Sequence, residues 1–222
     1  MSMRLNRFIA SSTGISRRAA DAAIDEGRVG VNGKSAIMGM QVQDTDIVTF
    51  DGRALTAPKP LQTIALNKPA GYVVSRDGQG SQTVYDLLPV DLDHLKPVGR
   101  LDKDSSGLIL LTNDGHLADE LTHPRNQKTK VYDIRLNQAL APLHRQMISE
   151  FGIQLDDGHS RLGLERLVDD SDFEWRVTMS EGRNRQIRRT FAALGYRVPR
   201  LHRIQFGPYQ LGDLPSGKYK QL

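Results

Sequence analysis

One aspartate lies in a setting that suits nucleophilic or acid–base chemistry. Asp102 occupies a glycine-bounded stretch, residues 99–115, and is flanked by Arg100 and Lys103. These cations are expected to keep the carboxyl group ionised, as a nucleophile or a base requires. A turn aspartate paired with a neighbouring cation would fit the same residues, and spacing alone leaves both interpretations open.

A second candidate is a basic segment near the end of the sequence. Residues 183–203 contain seven arginines and neither Asp nor Glu, although the whole chain has a net charge of only +4. A block of one sign suits a polyanion, whereas a solvated helix face would normally mix both signs. The seven are Arg183, Arg185, Arg188, Arg189, Arg197, Arg200 and Arg203.

Several other chemistries lack the residues that they need. The 222-residue chain has no cysteine, which excludes disulfide scaffolds, thiolate metal sites and cysteine nucleophiles. A P-loop would require glycine where the chain has Arg28, and no zinc-protease, hydrolase-elbow or dinucleotide motif occurs. The six histidines have no metal-ligand spacing. We therefore expect neither a metal nor a cofactor.

The elements that must position these residues fall into two predicted domains. Residues 1–55 form a small unit, residues 56–61 a linker with two prolines, and residues 62–222 a larger domain. In the small unit, apolar spacing predicts helices over 4–10 and 17–26, with Gly14 and an N-cap Ser16 between them. Strands are expected over 29–33 and 46–50, the first ending in an Asn-Gly turn.

The larger domain mixes strands and helices without regular alternation, which predicts an α+β fold. No apolar run reaches the roughly 18 residues of a membrane span, and no signal peptide is evident, so a cytoplasmic protein is expected. We also expect a monomer. The predicted strands are 63–66, 107–112, 131–136 and 174–179, and the predicted helices are 81–88, 117–121, 142–150 and 184–194.

The small unit resembles the RNA-binding domain named after ribosomal protein S-four. Arg-Leu-x-x-Phe-Ile, Ser-Arg-Arg-x-Ala, Ile-x-x-Gly-x-Val and Val-Asn-Gly follow in that order over residues 4–33. The resemblance implies contacts to RNA phosphates and folded RNA. The implied contact residues are Arg4, Arg7, Arg17, Arg18 and Lys34.

The larger domain resembles RNA pseudouridine synthases of the RsuA/RluB type. Residues 99–115 match their Gly-Arg-Leu-Asp-x-x-Ser-x-Gly-Leu-x-Leu-Leu-Thr-Asn-Asp-Gly motif, and 66–72 match the Asn-Lys-Pro-x-Gly entry strand. Residues 130–132 are similar to the family's Lys-x-Tyr, and 181–189 to its Glu-Gly-Arg-x-x-Gln-(Val/Ile)-(Lys/Arg)-Arg segment. The family isomerises uridine in RNA without metal or cofactor. Its fold implies a bent, largely antiparallel mixed sheet with a basic cleft.

The resemblance also implies roles for individual residues. Asp102 would be the essential carboxylate, Tyr132 would lie against the flipped base, and Arg188 would form an ion pair with Asp102. Ile187 would form an apolar floor under the base, and Arg100 would face the RNA backbone or fill the gap left by the base. Lys130, Arg183 and Arg185 would also bind the substrate.

The expected partner is ribosomal RNA or an assembly intermediate. Arg-Gln-Ile-Arg-Arg at 185–189 is closer to the large-subunit (23S) enzymes than to the small-subunit (16S) type, which tends to carry His-Gln-Val-Lys-Arg. The small-subunit target is the alternative. A non-catalytic RNA-binding assembly factor would be expected to lack Asp102 or Tyr132, and a metal-dependent nuclease using Asp102 and Asp104 would need further carboxylates.

Overall fold

The computed structural model describes residues 2–56 and 60–222. Contacts divide the chain into two compact units, Met1–Leu61 and Gln62–Leu222, each with its own hydrophobic core. The predicted linker, residues 56–61, includes residues 57–59, which lie outside the described residues.

The first unit combines two helices with short antiparallel strands. Leu5, Ile9 and Ile24 from the helices share one core with Val29 and Val48 from the strands. The elements are β1 (Met3–Arg4), α1 (Leu5–Thr13), α2 (Arg17–Asp25), β2 (Val29–Val31), β3 (Lys34–Ser35), β4 (Gln41–Val42), β5 (Val48–Phe50) and β6 (Arg53–Ala54). One sheet has the strand order β3-β2-β5-β6, and β1 pairs with β4.

Local sequence explains where these elements begin and end. Gly14 ends α1 in the left-handed conformation with φ 81°, which glycine adopts without steric cost. The Ser16 hydroxyl accepts a hydrogen bond from the Ala19 amide at 3.0 Å and caps α2. Asn32 and Gly33 both have positive φ, and they form the turn that the Asn-Gly pair predicts.

The second unit is built around one mixed sheet. In chain order its elements are β7 (Thr63–Lys68), β8 (Lys96–Val98), β9 (Ser106–Thr112), α3 (Gly115–Thr122), β10 (Lys130–Arg135), α4 (Pro142–Gln146) with a π-helical turn (Met147–Phe151), β11 (Ile153–Leu155), β12 (Gly158–Ser160), β13 (Gly163–Arg166), β14 (Glu174–Met179), α5 (Gln186–Ala192), β15 (Arg200–Phe206), β16 (Tyr209–Gln210) and β17 (Tyr219–Gln221). Short 3-10 turns lie at Val84–Leu87, Val90–Leu92 and Pro124–Asn126.

The sheet has the order β13-β14-β10-β15-β9-β7-β17, with β16 beside β15 and β8 beside β9. The β9–β15 pair is parallel, and the other strand pairs of this sheet are antiparallel. Together with the flanking helices, this confirms the predicted α+β class. Because β15 lies between β9 and β10, it brings the Asp102 loop and Tyr132 to the same half of the sheet.

Gly107 shows why this motif needs glycine after its serine pair. Gly107 has φ 102°, and a Cβ there would lie 2.2 Å from the Arg203 carbonyl oxygen. Any larger residue would force β9 and β15 apart at their parallel contact. The loop that carries Asp102 therefore enters the sheet at a point of very close backbone approach.

Some predicted elements were wrong in type or extent. Residues 81–88 form only the 3-10 turn Val84–Leu87, and the helix predicted over 142–150 changes to a π-helical turn at Met147. Strand β15 was not predicted, because its alternation is hidden by Arg203, a charged residue that is buried. Within residues 2–56 and 60–222, no helix has the length and apolar character needed to cross a membrane.

Candidate active site

Asp102 lies on a tightly held loop between β8 and β9. Leu101 before it is buried, whereas the Asp102 side chain is 36% exposed and lines a cleft of about 1200 Å³. Every backbone carbonyl from residue 102 to residue 105 accepts a hydrogen bond. The donors, in order, are Ser105 N (3.1 Å), Gly71 N (2.7 Å), Arg188 Nη2 (3.2 Å) and Lys68 Nζ (2.6 Å). The loop is therefore pre-organised by the protein.

Arg185 is the cation that contacts Asp102. Its Nη1 lies 3.2 Å from an Asp102 carboxylate oxygen and 3.2 Å from one of Asp104, and its Nη2 donates to the other Asp104 oxygen at 3.2 Å. Arg185 also adopts the left-handed conformation, φ 45° and ψ 31°, directly before α5. This conformation costs a non-glycine residue about 1–2 kcal/mol, which the ionic hydrogen bonds can offset.

The predicted ion pair between Arg188 and Asp102 is wrong in this structure. Arg188 Nη2 instead bonds the Asp104 carbonyl at 3.2 Å and Ser105 Oγ at 3.3 Å, and lies 3.3 Å from an Asp104 carboxylate oxygen. Its Nη1 donates to the Val198 carbonyl. Because α5 begins only at Gln186, Arg185 just before the helix reaches Asp102, while Arg188 inside it reaches the loop backbone.

Asp104 therefore contacts both Arg185 and Arg188, although its sequence position indicated only a possible metal ligand. Burial raises the pKa of the Asp104 carboxyl, but the hydrogen bond from Arg185 and the charges of Arg188 and Arg185 outweigh burial and hold it below its usual value. Burial lowers the pKa of Arg188. Asp104 thus shares Arg185 with Asp102 and also contacts Arg188. In the sequence, only its position two residues after Asp102 indicated that it could belong to the site.

Lys68 is a fully buried cation beneath the loop. Its ammonium group donates to the Pro69 carbonyl at 2.9 Å and the Ser105 carbonyl at 2.6 Å. Burial lowers the pKa of Lys68 to about 8, against the opposing effect of Asp104 and Asp102. Lys68 belongs to the Asn-Lys-Pro motif, but the sequence alone did not indicate that it joins β7 to the Asp102 loop.

Tyr132 and Ile187 lie in the wall of the same cleft. They are 8% and 5% exposed, and Leu101 beside Asp102 is 6% exposed. Tyr132 is held in β10 opposite Val177 on one side and Arg203 on the other. Predicted residues Arg100, Lys130, Arg183 and Arg185 also line the cleft, so it brings together an exposed carboxylate, cations and a narrow apolar surface.

The basic segment is less free than its composition indicates. Arg183 bonds Asp157 at 2.7 Å and Glu181 at 3.1 Å, and Arg189 bonds Asp157 at 2.6 Å. Asp157 comes from the turn between β11 and β12, outside the segment. With Arg185 and Arg188 held by Asp104, the four arginines from 183 to 189 all have carboxylate partners. Folding thus brings acidic side chains from other parts of the sequence, Asp104 and Asp157, next to a segment that contains no acidic residue.

The predicted RNA-binding residues of the first unit have a different environment. Arg4, Arg17, Arg18 and Lys34 are exposed, and Arg7 is half-buried. Among the described residues, no salt bridge links the four exposed cations to a carboxylate. By contrast, Arg28 in the same unit is held by Asp51 at 2.6 Å.

The described residues contain no cluster of three or more His, Asp or Glu side chains that could hold a metal ion. The arrangement offers one exposed carboxylate beside an arginine, on a fixed loop facing a half-apolar cleft. It can support nucleophilic attack or proton removal by Asp102 on a planar group bound against Tyr132.

Comparison with known proteins identifies the second unit. A family model described as RNA pseudouridylate synthase matches residues 62–193, more than half of the chain. The chain belongs to this family of isomerases. The matched residues include the Asp102 loop, Tyr132 and the first part of the basic segment.

Relatives of this RNA pseudouridine synthase are similar along nearly its whole length. It is 36% identical to the ribosomal large subunit pseudouridine synthase B of Xylella fastidiosa, covering 99% of this chain and 48%, about half, of that relative. It is 35% identical to the ribosomal small subunit pseudouridine synthase A of Pasteurella multocida, covering 99% and 96%. A crystal structure of a pseudouridylate synthase matches with a TM-score of 0.70 and 34% identity, covering 99% and 96%. Overall identity thus favours neither ribosomal subunit.

Proposed function

We propose that this pseudouridine synthase isomerises specific uridines of ribosomal RNA, with Asp102 as the essential carboxylate. The observation that carries this proposal is the geometry of Asp102: a partly exposed carboxylate beside Arg185 that faces the cleft, on a loop whose carbonyls from residue 102 to residue 105 all accept hydrogen bonds. A carboxylate with only a turn-stabilising role would not need this support.

The reaction must detach the base from ribose, rotate it and rejoin it through carbon 5. Asp102 can attack the base or ribose to give a covalent adduct, or remove a ribose proton to give a glycal. Both routes use the Asp102 carboxylate, and Arg185 Nη1 donates a hydrogen bond to it at 3.2 Å. Arg188 is then a positioning residue, because it acts on Asp102 through the loop backbone and Asp104.

The uridine must first leave its stack, at a cost of a few kcal/mol. Tyr132, Ile187 and Leu101 supply the nearly buried surface against which an unstacked base would lie. Tyr132 would contact one face of the base, and Ile187 would form the floor beneath it. Water would then be excluded from the reacting atoms around Asp102, which strengthens the electrostatic interactions there.

The first unit would provide most of the affinity for RNA as an S-four-like domain. Its exposed cations Arg4, Arg17, Arg18 and Lys34 are available for phosphate contacts, with Arg7 beside them. The residues Arg-Gln-Ile-Arg-Arg at 185–189 favour large-subunit rRNA as the target. Small-subunit rRNA is the alternative, supported by the relative from Pasteurella multocida.

Carbodiimide mapping of pseudouridine in rRNA tests both the activity and the target. Cells lacking this gene are compared with the same cells carrying the wild type or Asp102→Asn. We expect one position to lose its pseudouridine and to regain it only with the wild type. A site in 16S rRNA would overturn the large-subunit assignment. Absence of any missing site in either rRNA would contradict the proposed function.

A further inference from the structure

Two cations of the cleft differ from the paired arginines around Asp102. Arg203 is 2% exposed and Lys130 is half-buried, and both line the cleft. Among the described residues, no salt bridge links either side chain to a carboxylate. Burying a charge without a counter-ion is costly, so an uncompensated pair in a cleft needs an explanation.

Arg203 is only partly satisfied by the protein. Its Nε donates to the Leu108 carbonyl at 2.7 Å, and its guanidinium lies 4.8 Å from the centre of the Phe206 ring. Its Nη2 is buried and has no hydrogen-bond partner among the described residues. A buried donor without a partner costs about 1–3 kcal/mol, and a charged donor costs more.

Lys130 lies close to Arg203 around the same ring. Its ammonium is 5.4 Å from the Phe206 ring centre and, within residues 2–56 and 60–222, donates only to the Lys128 carbonyl, at 3.1 Å. Burial and the positive charge of Arg203 lower the pKa of Lys130, against a weaker opposing effect of Glu181. The Glu181 carboxylate is bonded by Arg183 and Gln186 instead. The two cations therefore repel each other, and among the described residues neither has a carboxylate within salt-bridge distance.

We infer that Arg203 and Lys130 form a subsite for a phosphodiester group of the RNA, beside Tyr132. Arg203 is the neighbour of Tyr132 across β10 and β15, and Lys130 is two residues before Tyr132 on β10. A group held there is close enough to be the phosphate attached to the uridine that Tyr132 contacts. This placement of the uridine rests on the proposed function.

A phosphodiester would supply both the counter-ion that Arg203 and Lys130 lack and an acceptor for the Arg203 Nη2. Its negative charge reduces the repulsion between the two cations, and its oxygens accept from the ammonium and the unpartnered Nη2. A neutral carbonyl of the base could accept a hydrogen bond but would leave both charges uncompensated. The subsite thus explains how an enzyme whose cleft arginines Arg183, Arg185 and Arg188 are held by carboxylates fixes the backbone of the flipped nucleotide.

The test compares uridine with its monophosphates. Dissociation constants of uridine, uridine 3′-monophosphate and uridine 5′-monophosphate are measured by NMR titration of the full chain. We expect at least one monophosphate to bind the wild type about 10-fold more tightly than uridine, as charged hydrogen bonds predict. Lys130→Gln should remove this difference and leave the affinity for uridine unchanged.

Two further variants keep the result specific. Arg135→Gln, on the same strand but exposed and paired with Glu174 at 3.6 Å, should bind all three ligands like the wild type. Arg203→Lys keeps the charge but removes the Nη2 donor, and it should reduce the preference for monophosphate. Equal affinities for uridine and both monophosphates in the wild type, or no binding of any, would overturn the inference. So would loss of uridine binding in a folded Lys130→Gln.

A separate assay distinguishes failure of the subsite from failure of the proposed function. Rejoining the base through carbon 5 releases the hydrogen of that carbon, so rRNA transcripts labelled there with tritium report isomerisation. Tritium release by the wild type without a monophosphate preference would overturn only the subsite. A monophosphate preference without tritium release from either rRNA would support the subsite and contradict the proposed function.

Discussion

The arginines beside Asp102 and those of the first unit have the same chemistry but opposite surroundings. Arg183, Arg185, Arg188 and Arg189 each bond a carboxylate, whereas Arg4, Arg17 and Arg18 are exposed and have no such partner among the described residues. An arginine held by carboxylates is fixed in direction and contributes less free charge. We therefore expect Arg185 and Arg188, which contact Asp102 or Asp104, to affect the rate of reaction, and the arginines of the first unit to determine affinity for RNA.

The largest effect on the reaction rate is expected from replacing Asp102, the carboxylate that Arg185 contacts. Asp102→Asn should lower the rate of tritium release by more than about 10³-fold, because it removes the charged atom that would react. Affinity for rRNA, measured by filter binding, should change by only a few-fold. A comparable loss of affinity and rate would indicate that Asp102 maintains the fold of the cleft.

The next largest effect on the rate is expected at Arg185, and it should distinguish Arg185 from Arg189, which is also bonded to a carboxylate. Arg185→Ala should reduce the maximal rate roughly 10- to 100-fold, since a hydrogen bond to a charged group contributes about 1.5–3 kcal/mol. Arg189→Ala is the matched control, because Arg189 bonds Asp157 and has no bond to Asp102. Both rates are measured in single-turnover assays at saturating RNA. Equal losses in the two variants would contradict the assignment of Arg185.

Replacing the exposed arginines of the first unit should change the affinity for RNA and not the reaction rate. Arg17→Ala combined with Arg18→Ala should weaken RNA binding and reduce the slope of log affinity against log salt by up to about two, one for each lost phosphate contact. The single-turnover rate at saturating RNA should stay unchanged. An unchanged slope would exclude this helix from the RNA interface.

The smallest effect concerns Lys68, the most deeply buried of these cations. Below pH 8 both the folded and unfolded chains hold its proton. Between its folded pKa of about 8 and the ordinary value of 10.5, only the unfolded chain does. The unfolded state then binds more protons, so the contribution of Lys68 to the unfolding free energy rises with pH, by up to about 1.4 kcal/mol per unit.

Urea unfolding from pH 7.5 to 10 measures this contribution. The unfolding free energy of the wild type, minus that of Lys68→Met, should increase with pH, while the same difference for the exposed Lys34→Met should stay flat. A flat difference for Lys68→Met would mean that the buried ammonium keeps its proton throughout this range.

The sequence predicted the family, the α+β class and four of the eleven strands of the second unit, namely β7, β9, β10 and β14, because these follow from motif order and apolar alternation. It missed β15, where the buried Arg203 interrupts the alternation and bonds the Leu108 carbonyl. It assigned the partner of Asp102 to Arg188, because side-chain direction depends on where α5 begins. That boundary is set by the left-handed Arg185, which no local pattern indicates. The catalytic role of Asp102 stays a prediction.

The position of β15 has a consequence for synthesis of the chain. β9 and β10 do not pair with each other but are joined through β15, which follows β10 by more than sixty residues. During translation, the strands that carry the Asp102 loop and Tyr132 leave the ribosome well before the strand that connects them. A chain interrupted before Arg200 would contain the first unit, the Asp102 loop and Tyr132, but neither β15 nor the cleft residue Arg203. We therefore expect the first unit to fold during translation before the sheet that joins the Asp102 loop to Tyr132 is complete.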